Sequence, residues 1–215
     1  MRKVSTKVGA EHLSVHSADC LLEKGTKVLL HCCCAPCSAS ILECLHQEGI
    51  AVTIFFYNPN IHPKEEYELR KQEVIRLATE WSIPYVDGDD DTLLWFQNTK
   101  GMEWEPERGK RCECCFFMRL TKTAHYAKEH GFPFFTTSLS SSRWKDAEQI
   151  RTSGEKASHK HGVFFWNRNW RKGELSERGR QIAEEKRFYR QQYCGCVYSL
   201  RDANMRREKK GLPPL

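Results

Sequence analysis

The sequence predicts an α/β domain: a parallel sheet with helices on both faces. Three observations lead there. Short apolar runs that read as buried strands alternate with longer stretches of helical periodicity. Glycine and proline punctuate the joints, at Gly49, Pro84 and Gly131-Phe132-Pro133. The first apolar run, Val28 to Leu30, ends directly in His31-Cys32-Cys33-Cys34-Ala35-Pro36-Cys37. That places reactive side chains at the carboxyl end of a strand, where open α/β sheets bind their ligands.

Taken in order, residues 1–25 lack clear periodicity and read as an N-terminal extension, with His12, His16 and Cys20 spaced by four. Pro36 suits the start of a helix, which runs through Gln47 and puts Cys37 in its first turn. Ala51 to Tyr57 is a second strand, followed by the turn Asn58-Pro59-Asn60-Ile61-His62-Pro63. Lys64 to Trp81 is a long helix and Tyr85 to Asp87 a short third strand. Asp89, Asp90 and Asp91 precede a helix over 92–99, with Asp90 or Asp91 expected to cap it and Asp89 free to face a site. Cys112 opens a helix to about His130, and Cys112 and Cys115 share one of its faces. Phe134 to Leu139 is a fourth strand, Lys145 to Ala157 a helix, Val163 to Trp166 a fifth strand, and Ser176 to Gln191 a last helix. Residues 26–200 thus form one catalytic domain, and 201–215 a basic tail with five basic against two acidic residues over 201–210.

A chain of 215 residues with 40% hydrophobic residues buries a substantial core, and its net charge of +6 suits a nucleic-acid partner. No apolar run approaches the ~20 residues of a membrane span and no export signal is visible, so a cytoplasmic protein without membrane contact is expected. Eleven cysteines, odd in number and partly adjacent, then point to metal rather than to a disulfide framework. Three groups stand out: Cys33, Cys34 and Cys37; Cys112 and Cys115; Cys194 and Cys196. One closed zinc site takes four ligands and a 4Fe–4S cluster takes four thiolates, so seven clustered thiols favour two centres, at least one of them iron–sulfur. Cys20 and Cys44 read as small buried hydrophobes, Cys32 as the last core-facing residue of its strand, and Cys114 as facing elsewhere.

With these motifs in place, the sequence resembles the cobalamin-independent epoxyqueuosine reductases of the QueH type. The resemblance rests on His31-x-Cys33-Cys34-Ala35-Pro36-Cys37-Ser38, on Tyr57-Asn58-Pro59-Asn60-Ile61 with Glu66-Tyr67 and Arg70, and on Arg111-Cys112-x-x-Cys115-Phe116 with Arg119-Leu120. Phe135-Thr136-Thr137 and Arg190-Gln191-x-Tyr193-Cys194-Gly195-Cys196 complete it. It implies a HUP-like, ATP-pyrophosphatase-like three-layer fold whose phosphate turn is remade from cysteines. It implies removal of the epoxide oxygen from epoxyqueuosine at the wobble position of a tRNA anticodon, with a 4Fe–4S cluster, an additional metal ion expected to be iron, and an unidentified electron donor.

At the active edge, substrate contacts are expected from Asn58, Asn60, Glu66, Arg70, Asp89, Arg111, Lys145 and Tyr193, and tRNA-backbone contacts from Arg168, Arg171, Lys172, Arg206 and Arg207. Side chains alternate along an extended chain, so Cys33 and Cys34 are expected to point apart and serve different centres. On that reading Cys112, Cys115, Cys194 and one tandem cysteine hold the cluster, and the other tandem cysteine, Cys37 and Cys196 hold the second metal. Two other readings compete. An ATP-dependent tRNA-modifying enzyme of related fold would want glycines in its phosphate turn, and residues 31–38 have none. A zinc-stabilised nucleic-acid-binding module would contain zinc without iron.

Overall fold

The computed structural model describes residues 22–88, 91–171 and 174–215. Five strands, β1 (Lys27–His31), β2 (Ala51–Phe56), β3 (Tyr85–Asp87), β4 (Phe134–Thr137) and β5 (Phe164–Phe165), form one parallel sheet in the order β3-β2-β1-β4-β5. The chain leaves β1 toward β2 and β3 on one side and later fills β4 and β5 on the other. The crevice at the carboxyl end of β1 is therefore the switch point of the sheet. Among the described residues seven helices cover it: α1 (Ala35–Gln47), α2 (Lys64–Glu80), α3 (Thr92–Thr99), α4 (Lys110–Glu129), α5 (Ala147–His161), α6 (Leu175–Glu185) and α7 (Val197–Glu208).

Strand alternation divides the core in two. Val28 and Leu30 of β1 pack with Leu42, Leu45, Val74, Leu77 and Ile182 of α1, α2 and α6. Leu29 points the other way, with Phe135, Leu120, Ala124 and Ile150 under α4 and α5. This is the three-layer HUP-like arrangement, and among the described residues no helix is long and apolar enough to cross a membrane.

Several element ends differ from the sequence reading, each for a local reason. Helix α5 begins at Ala147 because the Asp146 carboxylate accepts from the N–H groups of Glu148 and Gln149. It ends at His161 because Gly162 takes the left-handed region at φ 66°. Lys145 is thereby left in the loop after β4. That strand stops at Thr137, and a single 3₁₀ turn over Ser138–Ser141 replaces the residues expected to extend it. Helix α6 stops at Glu185 rather than Gln191, and residues 188–196 return irregularly along α2. Helix α7, unanticipated, absorbs residues 201–208 of the expected tail; it buries only Ser199 and Ala203, too thin a face to give an apolar period. Asp91 stands at the N-cap position of α3 but makes no cap bond, because its carboxylate accepts from Tyr57 Oη at 2.8 Å. Asp90, His12, His16 and Cys20 lie outside the described residues.

Gly154 sets how closely α5 approaches β5. A Cβ at this position would lie 2.2 Å from Phe165 Cε1 and 2.5 Å from Cζ. Alanine gains up to about 1 kcal/mol of helix propensity, whereas overpacking costs about 1–3 kcal/mol. Gly154→Ala is therefore expected to lower the thermal midpoint; an unchanged or raised Tm in calorimetry would show that the contact relaxes freely.

Candidate functional site

The cysteine turn grows out of β1. His31 pairs with Thr137 of β4 in register, and its Nδ1 lies 2.8 Å from Thr137 Oγ1. Cys32 turns into the α1 face of the core, its Sγ 2.9 Å from Ser38 Oγ. Cys33 turns to the opposite face. The divergence thus falls between Cys32 and Cys33, not between Cys33 and Cys34 as the alternation argument had it. Strand geometry ends at His31, and Cys34 is already the N-cap of α1, where the chain bends. Cys34 Sγ consequently lies 3.7 Å from Cys33 Sγ. The sulfurs of Cys33, Cys34 and Cys37 all fall within 4.8 Å of one another.

These three sulfurs share protons unequally. Hydrogen bonds from the Cys34 and Cys37 thiols, with Lys145 and Arg119 nearby, hold Cys33 well below the ordinary thiol range despite its burial. Cys34 is raised by burial and by that donation, and Cys37 is pushed up to about 12, first by its bond to Cys33. The arrangement favours negative charge on Cys33, with the two neighbouring thiols donating to it. Gln191 Nε2 also donates to Cys34 Sγ at 3.3 Å, and Ser138 Oγ to Cys33 Sγ at 3.3 Å.

A second group of thiols faces the first. Cys112 lies in the first turn of α4 and Cys115 one turn on. Cys115 and Cys196 pack together against Trp95. Burial and then the charges of Cys194, Cys115 and Cys196 push Cys112 up to about 12, which places all four sulfurs in one electrostatic neighbourhood. Cys196 therefore sits with the α4 cysteines and not with Cys37. Among the described residues every cysteine is a free thiol.

Between the groups is a narrow cleft lined by Cys33 and Cys194, with Asn58, Asn60, Arg70, Arg119 and Lys145 among its walls. Arg119 is 2% exposed, donates to Asn58 Oδ1, and lies 3.3 Å from His31 Nε2. Burial and then the Arg119 charge push the His31 imidazole down to about 3, so it stays neutral. Among the described residues no carboxylate pairs with Arg119. Burial alone would lower Lys145, but electrostatic attraction to the facing sulfurs of Cys194, Cys33, Cys37 and Cys34 outweighs it and holds the ammonium above its usual range.

The expected substrate residues divide by the work they do inside the protein. Glu66 and Arg70 form a buried ion pair, Tyr189 Oη donates to Glu66 at 2.7 Å, and Arg70 donates to the carbonyls of Tyr193 and Cys194 at 3.2 and 3.0 Å. Tyr193 Oη in turn donates to the His62 carbonyl. The set is a clamp that docks residues 193–195 onto α2. Gly195 fits there at φ 130°, where a Cβ would sit 3.1 Å from Ile61 Cγ1 and from Arg70 Nη1. Arg111 is buried and donates to the carbonyls of Met102, Glu103 and Glu105. Asn58 bridges Arg119 and the Cys32 carbonyl, at 2.9 Å from the latter. Asn60 is different: its Oδ1 is buried at the cleft wall with no partner. Lys145 also reaches the cleft. Asp89 and Lys172 lie outside the described residues.

The basic residues expected to touch RNA are likewise partly engaged. Arg168 holds Glu48 with two hydrogen bonds at 2.5 and 2.6 Å and stacks on Trp170. Arg171 donates to the carbonyls of Ser140 and Lys145, bracing the loop after β4. Arg207 donates to Pro213 and Gln192, whereas Arg206 is exposed. Residues overlooked as site members are His31, Arg119, Ser138 and Gln191. His31, Arg119 and Gln191 lie inside the motifs already singled out, and only Ser138, read as part of the fourth strand, carries no signal.

Comparison with known proteins matches residues 28–202 to the family model "Epoxyqueuosine reductase QueH". A relative of that name from Histophilus somni is 56% identical over 86% of this chain and 76% of its own. Those from Acinetobacter baylyi and Thermotoga maritima are 51% and 37% identical, covering 89% and 85% of this chain and 88% and 93% of theirs. Two solved structures share the fold at a TM-score of 0.53. One is the U34-tRNA thiolase NcsA from Methanococcus maripaludis with its [4Fe-4S] cluster, 14% identical over 87% of this chain and 68% of that one. The other is a predicted subunit of a tRNA methyltransferase from Methanocaldococcus jannaschii, 11% identical over 88% and 90%. The chain belongs to the epoxyqueuosine reductase QueH family.

Proposed function

We propose that the chain is an epoxyqueuosine reductase that removes the epoxide oxygen from the modified wobble base of a tRNA anticodon, using thiolate-bound metal and an external electron donor. The observation that carries the reading is the pairing of two thiol groups across a cation-lined cleft at the switch point of the sheet. Cys112, Cys115, Cys194 and Cys196 supply the four thiolates a 4Fe–4S cluster takes. Cys33, Cys34 and Cys37 fit a single smaller ion: metal–sulfur bonds of about 2.3 Å in a tetrahedral site separate sulfurs by about 3.8 Å, and Cys33 and Cys34 are 3.7 Å apart. Bound there, a cluster supplies electrons one at a time, and a Lewis-acidic ion, in this reading iron, polarises an oxygen.

The reaction breaks two C–O bonds, forms a C=C bond, and consumes two electrons and two protons as the oxygen leaves as water. Lys145 Nζ keeps its proton and lies at the cleft, where it can hydrogen-bond the departing oxygen and protonate it. Asn60 Oδ1 offers the unsatisfied acceptor that a substrate hydroxyl would fill. Ile61 walls the cleft against water. Arg119 balances the negative charge that accumulates on metal-bound thiolates. Because the cleft is narrow, the reacting base must be swung out of its stack to enter.

Anaerobic preparation is expected to yield a brown protein with about four iron and four sulfide and a further metal ion, which converts epoxyqueuosine in tRNA to queuosine when given a reductant. A colourless, zinc-only protein without turnover would overturn the reading.

The thiol geometry makes a sharper statement. Cys34→Ser and Cys37→Ser should each lose the further ion while keeping the cluster absorption, whereas Cys112→Ser, Cys115→Ser and Cys196→Ser should each impair the cluster. Loss of the cluster in Cys34→Ser with retention in Cys196→Ser would reverse the assignment.

Arg119→Gln removes a buried positive charge beside the thiols, which destabilises the more negative, reduced state. The reduction potential of the bound cluster should fall by about 40–130 mV, the equivalent of about 1–3 kcal/mol for one electron. An unchanged potential in a redox titration would mean that Arg119 only fills space.

A further inference from the structure

The loop after β4 lines the cleft through Lys145, the loop before α4 is tied to it by Arg108, and each exposes a tryptophan. Trp144 precedes Lys145 in the loop after β4 and is 72% exposed; Trp104, in the loop before α4, is 80% exposed. Such rings bury large area at low entropic cost when a partner covers them. Neither loop is loose at its backbone. Arg111 Nη1 pins the carbonyls of Met102, Glu103 and Glu105 at 2.9, 3.2 and 2.6 Å, fixing the segment around Trp104. Arg108 ties the two loops together, donating to the carbonyls of Trp144 and Arg143 at 2.9 and 3.2 Å. The backbone N–H of Arg108 also points at Cys112 Sγ, 3.3 Å away, so the platform is anchored to the thiol site itself.

Charge completes the surface. Arg201 lies 4.2 Å from the centre of the Trp104 ring and Arg143 lies 5.0 Å from that of Trp144. The Glu103 and Glu105 carboxylates turn back to accept from the N–H groups of Gly101 and Lys110, and Arg201 is also paired with Asp202 at 2.9 Å, which leaves Arg143 as the exposed guanidinium beside the indoles. Exposed aromatic faces beside cations match unpaired nucleotides, which offer π-faces and phosphates together; a duplex keeps its base faces stacked away.

We propose that Trp104 and Trp144 form a stacking platform for unpaired anticodon-loop bases that flank the nucleotide entering the cleft. The proposal rests on the tRNA-modifying reading of that cleft. It assigns the two loops the task of holding the loop open by gripping its neighbours while one base is withdrawn.

The test measures binding of the anaerobically purified enzyme to an RNA hairpin with a single-stranded loop, and to the same strand annealed to its complement. Trp104→Ala and Trp144→Ala should each weaken hairpin binding by about fivefold to a hundredfold, from about 1–3 kcal/mol per stacked base. Duplex binding and iron content should not change, and Trp104→Phe and Trp144→Phe should restore most of the hairpin affinity. Because both rings are largely exposed, these variants are expected to fold. Hairpin affinity unchanged in the alanine variants, or an equal loss for hairpin and duplex, would overturn the platform while leaving wild-type turnover of epoxyqueuosine tRNA intact. Absence of both hairpin binding and turnover in the wild type would overturn the platform and the parent reading together.

Discussion

The site depends on a buried positive charge that no carboxylate among the described residues answers. Arg119 sits beneath the cysteine turn with a neutral imidazole, an amide oxygen and the Cys115 sulfur among its polar contacts. Taking a guanidinium out of water costs several kcal/mol unless negative charge lies nearby. Here that charge resides on sulfur: Arg119 and Lys145 both act on Cys33 and help hold it as thiolate. Metal binding requires deprotonated thiols, so the cations would lower the cost of loading a metal as well as offset its ligands afterwards. Cations and thiols are mutually dependent: either set alone would be an uncompensated burial.

The second dependency is how Cys194 and Cys196, far along the chain, reach cysteines on α1 and α4. Residues 188–196 have no regular structure of their own, so their backbone groups need partners elsewhere. Helix α2 supplies them. Arg70 takes two carbonyls, Gly195 returns a carbonyl to the His62 N–H at 2.8 Å, and Arg76 takes the Lys186 carbonyl. Glu66 keeps Arg70 aimed. Glu66, Arg70 and Tyr193, three of the residues expected to meet substrate, are engaged in holding the segment that carries Cys194 and Cys196.

Much of this was legible in the sequence. Strand runs and breakers located all five strands and the first five helices to within a few residues, because buried parallel strands and glycine-stopped helices leave compact local signals. Cys32 was correctly read as core-facing. The tandem cysteines were misjudged because period-two alternation was carried one residue past the end of the strand, into an N-cap whose bend reverses it. Helix α7 and the clamp were illegible for a different reason. Their stability comes from tertiary hydrogen bonds and a narrow contact face, neither of which leaves a period in the chain.

The distribution of positive charge shows where an RNA partner can be held. A net charge of +6 suggests a basic face, yet Arg168, Arg171 and Arg207 donate to groups within the protein. A guanidinium already bonded to Glu48 offers little to a phosphate, since gaining one contact sacrifices another. Beside the cleft, Arg143 in the loop after β4 stays exposed next to the Trp144 indole. Recognition built this way weights stacking over phosphate counting. That suits a substrate whose reactive base must leave its stack, because the same rings that bind the neighbouring bases replace the stacking those bases lose.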